Sequence, residues 1–323
     1  MKVLVTGAGA LLGQGIIRSL LESRLQVEVL AADPSEHAAG LYWVDGRFRI
    51  PMASDPSYLE RMEELIESER PNAVMVGTDV ELHALAAHRE NLERDYGTHV
   101  IVSSPQVVAI ADDKYETYRF LRDHGFDYPD SALPGEEDAL VERVGYPLVV
   151  KPRVGARSVG VSVVRDREQL RVAVAASHRP VIQECVGTDQ DEYTAGVLCF
   201  DGACSASIVM RRDLRDGNTY RAFVDHYPEF NAEVRRMGEA LAPHGPANFQ
   251  FRVAAGKIKV FEINGRFSGT TPLRMRAGFN EVELVLRQVV LGESIEQPVI
   301  QPMTILRHWS ETVVLPSDAG KVM

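Results

Sequence analysis

Gln250, Glu262 and Asn264 carry the oxygen donors that hard divalent cations prefer, and the guanidinium of Arg266 follows at once. They lie in two runs, Asn248-Phe249-Gln250-Phe251 and Phe261-Glu262-Ile263-Asn264-Gly265-Arg266, which read as two strands joined by a tight turn at Gly256. Side chains alternate across a strand, so Glu262 and Asn264 share one face while Phe261 and Ile263 point into a core. A three-residue turn over positions 255–257 would set Gln250 opposite Glu262 on that face; a two-residue turn would put them on opposite faces. Such a donor set suits Mg²⁺, which keeps several waters and shares its coordination with phosphates. Without that ligand the same stretch is a solvated hairpin face.

A second group lies upstream. Lys151 ends an otherwise apolar strand over residues 148–151, so it must be paired or open into a cavity. A glycine-bearing loop follows, with Gly155, Arg157, Ser158 at its tip and Gly160, before a strand over 161–164. Strand, loop and returning strand is not the strand-to-helix P-loop, and the Gly-Lys-Ser/Thr is missing. A flexible loop rich in N–H donors can still fold over phosphates. A plain hairpin is the alternative.

These groups need elements to position them. The N-terminal strand, the turn Gly7-Ala8-Gly9-Ala10-Leu11-Leu12-Gly13, a helix, and a second strand ending at Asp33 make a βαβ unit. The dinucleotide fingerprint wants glycine where Leu12 stands, although Asp33 lies at the distance expected of a ribose-binding acid. An NAD-dependent reductase is therefore an alternative from another class, weakened by the lack of a Tyr-x-x-x-Lys pair. Strand–helix alternation to about residue 104 predicts a parallel sheet with covering helices. Asp79 and Glu81 stand at a strand end, where they read as caps of the next helix. Helix over 107–125, with Lys114 near its start, leads into the Lys151 strand. The Asp201-Gly202 pair marks a hairpin turn, and Arg211, Arg212 and Arg215 follow as a solvated loop or an anion pocket.

A chain of 323 residues with 45% hydrophobic and 25% charged content is expected to fold as two or three soluble domains. The net charge of -11 argues against a nucleic-acid partner, so an anionic ligand must be held by local cations, backbone N–H groups or a metal. Cys185, Cys199 and Cys204 lack metal-site spacing and are read as reduced packing residues, the last two on paired hairpin strands. With no signal-peptide pattern and no apolar run of membrane-spanning length, a cytoplasmic protein without membrane contact is expected.

The order of these parts resembles the ATP-grasp superfamily, above all carbamoyl phosphate synthetase large-chain halves and stand-alone carboxylate–amine ligases. The resemblance covers about residues 1–295. It rests on the two strand runs quoted first and on Gly145-Tyr146-Pro147-Leu148-Val149-Val150-Lys151-Pro152. It implies a mixed α/β and α+β architecture: a parallel α/β pre-ATP-grasp domain over 1–104, a linker helix and small subdomain with its lid over 105–180, and a large subdomain with the metal site over 181–323.

By the same resemblance, Lys114 and Lys151 would contact the phosphates of ATP, and residues 155–160 would form the lid, with Ser158 at its γ-phosphate end. Gln183, Glu184 and Val186 would line the adenine, and Glu192 would accept from the ribose hydroxyls. Gln250, Glu262 and Asn264 would hold one or two Mg²⁺ ions, for which Mn²⁺ could substitute, and Arg266 would stabilise the transferring phosphoryl group. Arg157 replaces a small lid residue, and Gly265 stands where the family has proline. The implied reaction joins a small carboxylate, such as an amino acid, to an amine through an acyl phosphate, forming ADP. Bicarbonate or carbamate phosphorylation is the alternative within the fold. Of Arg274 and Arg276 beyond the metal face, Arg274 is favoured to hold the substrate carboxylate. The oligomeric state stays open, a homodimer included.

Overall fold

β1 (Lys2–Val5) is apolar on both faces, and its last three residues are buried, as befits the middle of a doubly covered parallel sheet. With β2 (Glu28–Asp33), β3 (Gly46–Arg49), β4 (Ala73–Met75) and β5 (His99–Ile101) it forms a five-stranded sheet in the order β3-β2-β1-β4-β5, every pair parallel. The computed structural model describes residues 1–319 and 322–323. Its helices at Leu11–Leu21, Tyr58–Glu69 and Leu82–Tyr96 are the crossovers that parallel pairing requires. Met62, Leu65 and Ile66 form the buried stripe expected of the second. β3 escapes the sequence because only Phe48 of its four residues is buried.

The helical stretch that follows is two helices, Pro105–Asp112 and Lys114–Asp123. Asp113 divides them by accepting the N–H groups of Tyr115 and Glu116, an N-cap that fixes where Lys114 begins the second helix. Next come β6 (Ser131–Ala132), β7 (Leu148–Pro152), β8 (Ser162–Val164) and β9 (Pro180–Glu184), an antiparallel sheet in the order β6-β9-β7-β8. The helices Glu137–Val144 and Arg167–Ala176 accompany it. Leu140, Leu148, Val150, Val164, Leu170 and Ile182 give this unit a small core of its own.

A larger antiparallel sheet completes the fold. β10 (Glu192–Phe200), β11 (Ala203–Arg215), β12 (Asn218–Val224), β13 (Gly245–Ala254), β14 (Lys257–Asn264) and β15 (Met303–Leu306) lie in the order β14-β13-β10-β11-β12-β15. β11 runs on through Arg211, Arg212 and Arg215, the segment that a solvated loop would have occupied, and β15 is the late strand expected after residue 298. The end of the chain, expected to fray, falls partly on residues 320 and 321, outside the described residues. One core joins the parallel sheet to this one, drawing Val3 and Val5 together with Leu198, Phe267 and Leu286. The expected parallel domain followed by two antiparallel sheets is what the chain forms. Among the described residues no helix is long and apolar enough to cross a membrane.

One expectation is corrected here. Cys199 and Cys204 do flank the Asp201-Gly202 turn on paired strands, but they form a disulfide rather than two reduced packing residues. The two-residue turn sets them directly opposite one another, with Cα atoms 4.0 Å apart, and the register shifts only beyond them, between Cys199 and Leu198. Cys185 stays free.

Candidate active site

The β13–β14 hairpin reaches its geometry by a route that neither sequence alternative contained. Its turn has two residues, Ala255 and Gly256, with φ of 51° and 76°, the conformation of a tight type I′ hairpin. By simple alternation that turn would send Glu262 into the core. Instead Phe251 pairs with Val260 while Gln250 pairs with Glu262, leaving Phe261 as an extra, bulged residue. A one-residue slip exchanges the faces of everything beyond it. Gln250, Glu262 and Asn264 therefore do share one face, and Ile263 is buried as expected. Phe261, expected in the core, lines the cleft instead, with the Lys151 ammonium 5.5 Å from its ring centroid.

That face looks across a cleft of about 530 Å³ towards the smaller sheet. Lys114, Lys151, Gly155, Ser158, Gln183, Glu184, Val186, Glu192, Gln250 and Glu262 all line it, so ten positions expected around a nucleotide converge in one place. Lys151 on β7 donates to Gln183 Oε1 on the neighbouring β9 at 2.8 Å and, across the cleft, to the Phe261 carbonyl at 3.3 Å. Burial, and then the like charge of Lys114, pull its ammonium down to about 7. An ammonium so placed is short of a negative partner. Lys114 donates to the Gly155 carbonyl at 2.7 Å and so ties down the root of the loop. At the tip of the loop Arg157 and Ser158 take φ of 56° and 55°. The Arg157 carbonyl packs so tightly on the turn after β11 that a Cβ at Gly217 would stand 2.2 Å from it.

The carboxylate end is a chain of ion pairs and amides. Glu192 on β10, buried, accepts from Arg212 at 2.9 Å through one oxygen and from Arg252 at 2.8 Å through the other. Arg212 also donates to Gln250 Oε1 at 2.6 Å. The Gln250 and Asn264 amides in turn donate to Glu262 Oε1, at 3.0 and 3.3 Å. Among the described residues no group of three or more His, Cys, Asp or Glu side chains could hold a metal, so any cation here depends on Glu262 and neutral oxygens. Glu262 Oε2 and Asn264 Oδ1 accept nothing from the described residues, and hard oxygens two residues apart on one strand face fit a magnesium ion.

Several assignments change. Arg274, favoured for the substrate carboxylate, is 1% exposed and pairs with Glu281, which is itself fully buried. It also donates to Asn248 and Thr194, and is therefore an internal strut closed to any substrate. Arg276 points outward to Glu22. Arg266, expected beside the transferring phosphoryl group, is not among the residues lining the cleft; it pairs with Asp79 of the N-terminal domain at 2.6 Å. Asp79 is thus an interdomain partner more than a helix cap. Glu81, the other expected cap, is buried and accepts from Thr6, Thr78 and Tyr58. Arg212, left among three arginines in the sequence, is the one that enters the cleft. Arg211 and Arg215 lie over Phe223 and Tyr220.

The N-terminal turn is built differently. Asp33 accepts the N–H groups of Gly9 and Ser35 at 2.7 and 2.9 Å, closing the loop on itself.

Residues 181–312 match the family model described as ATP-grasp in the biosynthetic pathway with Ter operon, and residues 3–101 match the PylC-like N-terminal domain. The chain thus carries an ATP-grasp domain behind a PylC-like N-terminal domain. Among relatives, the chain is 25% identical over 338 aligned residues to the carbamoyl phosphate synthase large chain of Neisseria meningitidis serogroup A. That alignment takes in 93% of this chain and 30% of the relative, so the chain spans about a third of the length of such relatives. Among solved structures, N5-carboxyaminoimidazole synthetase from Staphylococcus aureus complexed with ADP superposes with a TM-score of 0.72 at 15% identity, covering 93% of this chain and 79% of the other. An L-amino acid ligase from Bacillus licheniformis gives 0.69 at 18% identity, covering 94% and 78%. At these identities the structural likeness concerns the fold.

Proposed function

We propose that this ATP-grasp protein is an ADP-forming ligase that activates a small carboxylate as an acyl phosphate and joins it to an amine. One observation carries the reading: Lys114, Lys151 and Glu262 face a single cleft between two antiparallel sheets, roofed by a loop whose root Lys114 holds. A carboxylate resists attack because its charge repels a nucleophile and oxide leaves poorly. Phosphorylation makes phosphate the leaving group. Such transfer asks a protein chiefly for positioning and charge neutralisation. The two lysines would supply positive charge, Lys151 once phosphates in the cleft favour its charged form, and a magnesium ion held by Glu262 and Asn264 would add its own to the phosphates. The loop over residues 155–160 would exclude water from the acyl phosphate. β9, which ends at Glu184, and Val186 just beyond it supply the wall along which the base would lie.

The extent of the match to carbamoyl phosphate synthase large chains favours a second reading, phosphorylation of bicarbonate or carbamate. Phosphate release from ATP, screened over pairs of amino acids and with bicarbonate alone, separates the two. Release that needs both a carboxylate and an amine supports ligation, whereas release driven by bicarbonate without an added acid supports the second reading. A protein whose melting temperature ignores ATP and Mg²⁺ but rises with NADH would overturn both.

A further inference from the structure

The resemblance left one or two metal ions open, and Arg212 bears on the choice. Gln250 presents its amide oxygen to Arg212 at 2.6 Å and its amide nitrogen to Glu262 at 3.0 Å. A cation bridging Gln250 and Glu262 would need that oxygen. Two arrangements could supply it. In the first, the oxygen keeps its bond to Arg212 and also ligates the metal. At magnesium–oxygen distances of about 2.1 Å, the dication would then stand no more than about 5 Å from a guanidinium. In the second, the amide turns over, which sets its N–H₂ against the N–H of Arg212, donor facing donor.

Arg212 is not free to withdraw. It is 6% exposed, its second partner Glu192 is held from the other side by Arg252, and its Nε is buried without an acceptor among the described residues. Glu262 Oε2 and Asn264 Oδ1, by contrast, are unclaimed by the described residues. We infer that the cradle takes a single divalent cation, on Glu262 and Asn264, and that the Arg212 guanidinium supplies the positive charge at the Gln250 end where a second cation would sit. Arg212 is thus a positioning residue for the nucleotide's charge. A fixed guanidinium there has a further consequence: positive charge faces the phosphates whatever the metal concentration. The inference rests on the cleft being a nucleotide site.

Mn²⁺ titrated into the full chain, with protein in slight excess over ADP and free Mn²⁺ counted by electron paramagnetic resonance, tests it. The expected result is one bound ion per chain with the spectrum of an isolated Mn²⁺, lost in Glu262→Gln. Arg212→Gln should raise the count towards two, with the broadening of a coupled pair, while Arg212→Lys stays at one. Two ions on the unaltered chain, or a count unchanged in folded Arg212→Gln, would overturn the inference. So would no ion on a chain whose melting temperature rises with ADP, which would leave the nucleotide reading standing. One ion with no response to ADP keeps the cradle and removes the nucleotide. The count on the unaltered chain decides the matter even where a variant fails to fold.

Discussion

The turn at residues 7–13 and the loop at residues 155–160 both follow a strand, and both are built from glycines that a nucleotide site could use. Their surroundings are opposite. A Cβ at Gly13 would stand 2.1 Å from the Gly7 carbonyl oxygen, and one at the neighbouring Gly77 would lie 2.0 Å from that of Thr6. In the later loop, Gly155 has nothing within 4 Å of where a Cβ would be, and the residues around it are exposed. Glycine serves close backbone approach in the first and conformational range in the second, where φ is 142°. Charge divides them again: the first encloses Asp33 and the second stands over Lys114 and Lys151. A packed glycine turn is a piece of core, whereas an open one above buried cations is a roof for an anion.

The largest test of that contrast lies under the roof. Glu262→Gln should lower turnover by about 100-fold or more, the scale of removing one group that stabilises transition-state charge. Far-ultraviolet circular dichroism should be unchanged, since Glu262 is only half-buried. Away from the cleft the loss should be in stability instead. Arg274→Met leaves Glu281 buried without its partner and should cost about 3–5 kcal/mol in urea unfolding. The two glycines come next. Gly13→Ala should destabilise by about 1–3 kcal/mol through overpacking, without altering ADP affinity of the folded protein. Gly155→Ala should leave the melting temperature in place and weaken ADP binding severalfold, because φ of 142° suits few L-residues. If both variants affect melting alone, the loop is ordinary surface.

The smallest effect is a pH dependence of two opposite signs. Lys151 titrates near 7 in the free protein against 10.5 when unfolded. Between those values the unfolded chain binds the extra proton, so the Lys151 contribution to stability rises with pH; below 7 the full burial penalty stands. Phosphates in the cleft would favour the charged ammonium, so ADP affinity should fall as pH climbs above 7. Calorimetry in two buffers of different ionisation heat should show proton uptake on binding at pH 8. Proton release there would remove Lys151 from the phosphate site.

Much of this was legible in the sequence for physical reasons. Runs such as residues 148–151 and 193–200 are apolar enough to announce themselves as strands, and Asp201-Gly202 and Gly256 mark their turns. Lys151 could be named because a lysine in an apolar strand demands a partner, whereas Lys114, Gln183, Glu184, Val186 and Glu192 came only from the resemblance to the ATP-grasp superfamily. The bulge at Phe261 could not be seen, since pairing register is set by both strands together. Arg274 was misplaced because its partner Glu281 comes from the next helix and nothing local reveals that it is buried. Arg212 was hidden by Arg211 and Arg215; its signal was position, as an alternate residue of a strand that continues to Arg215. The disulfide shows the same limit: opposition across a hairpin was foreseen, bonding was not.

The most direct measurement is a crystal structure of the protein soaked with ADP and Mg²⁺. The phosphates should lie against Lys114, Lys151 and Glu262, beneath residues 155–160. Phosphates found instead at the turn over residues 7–13 would contradict the account.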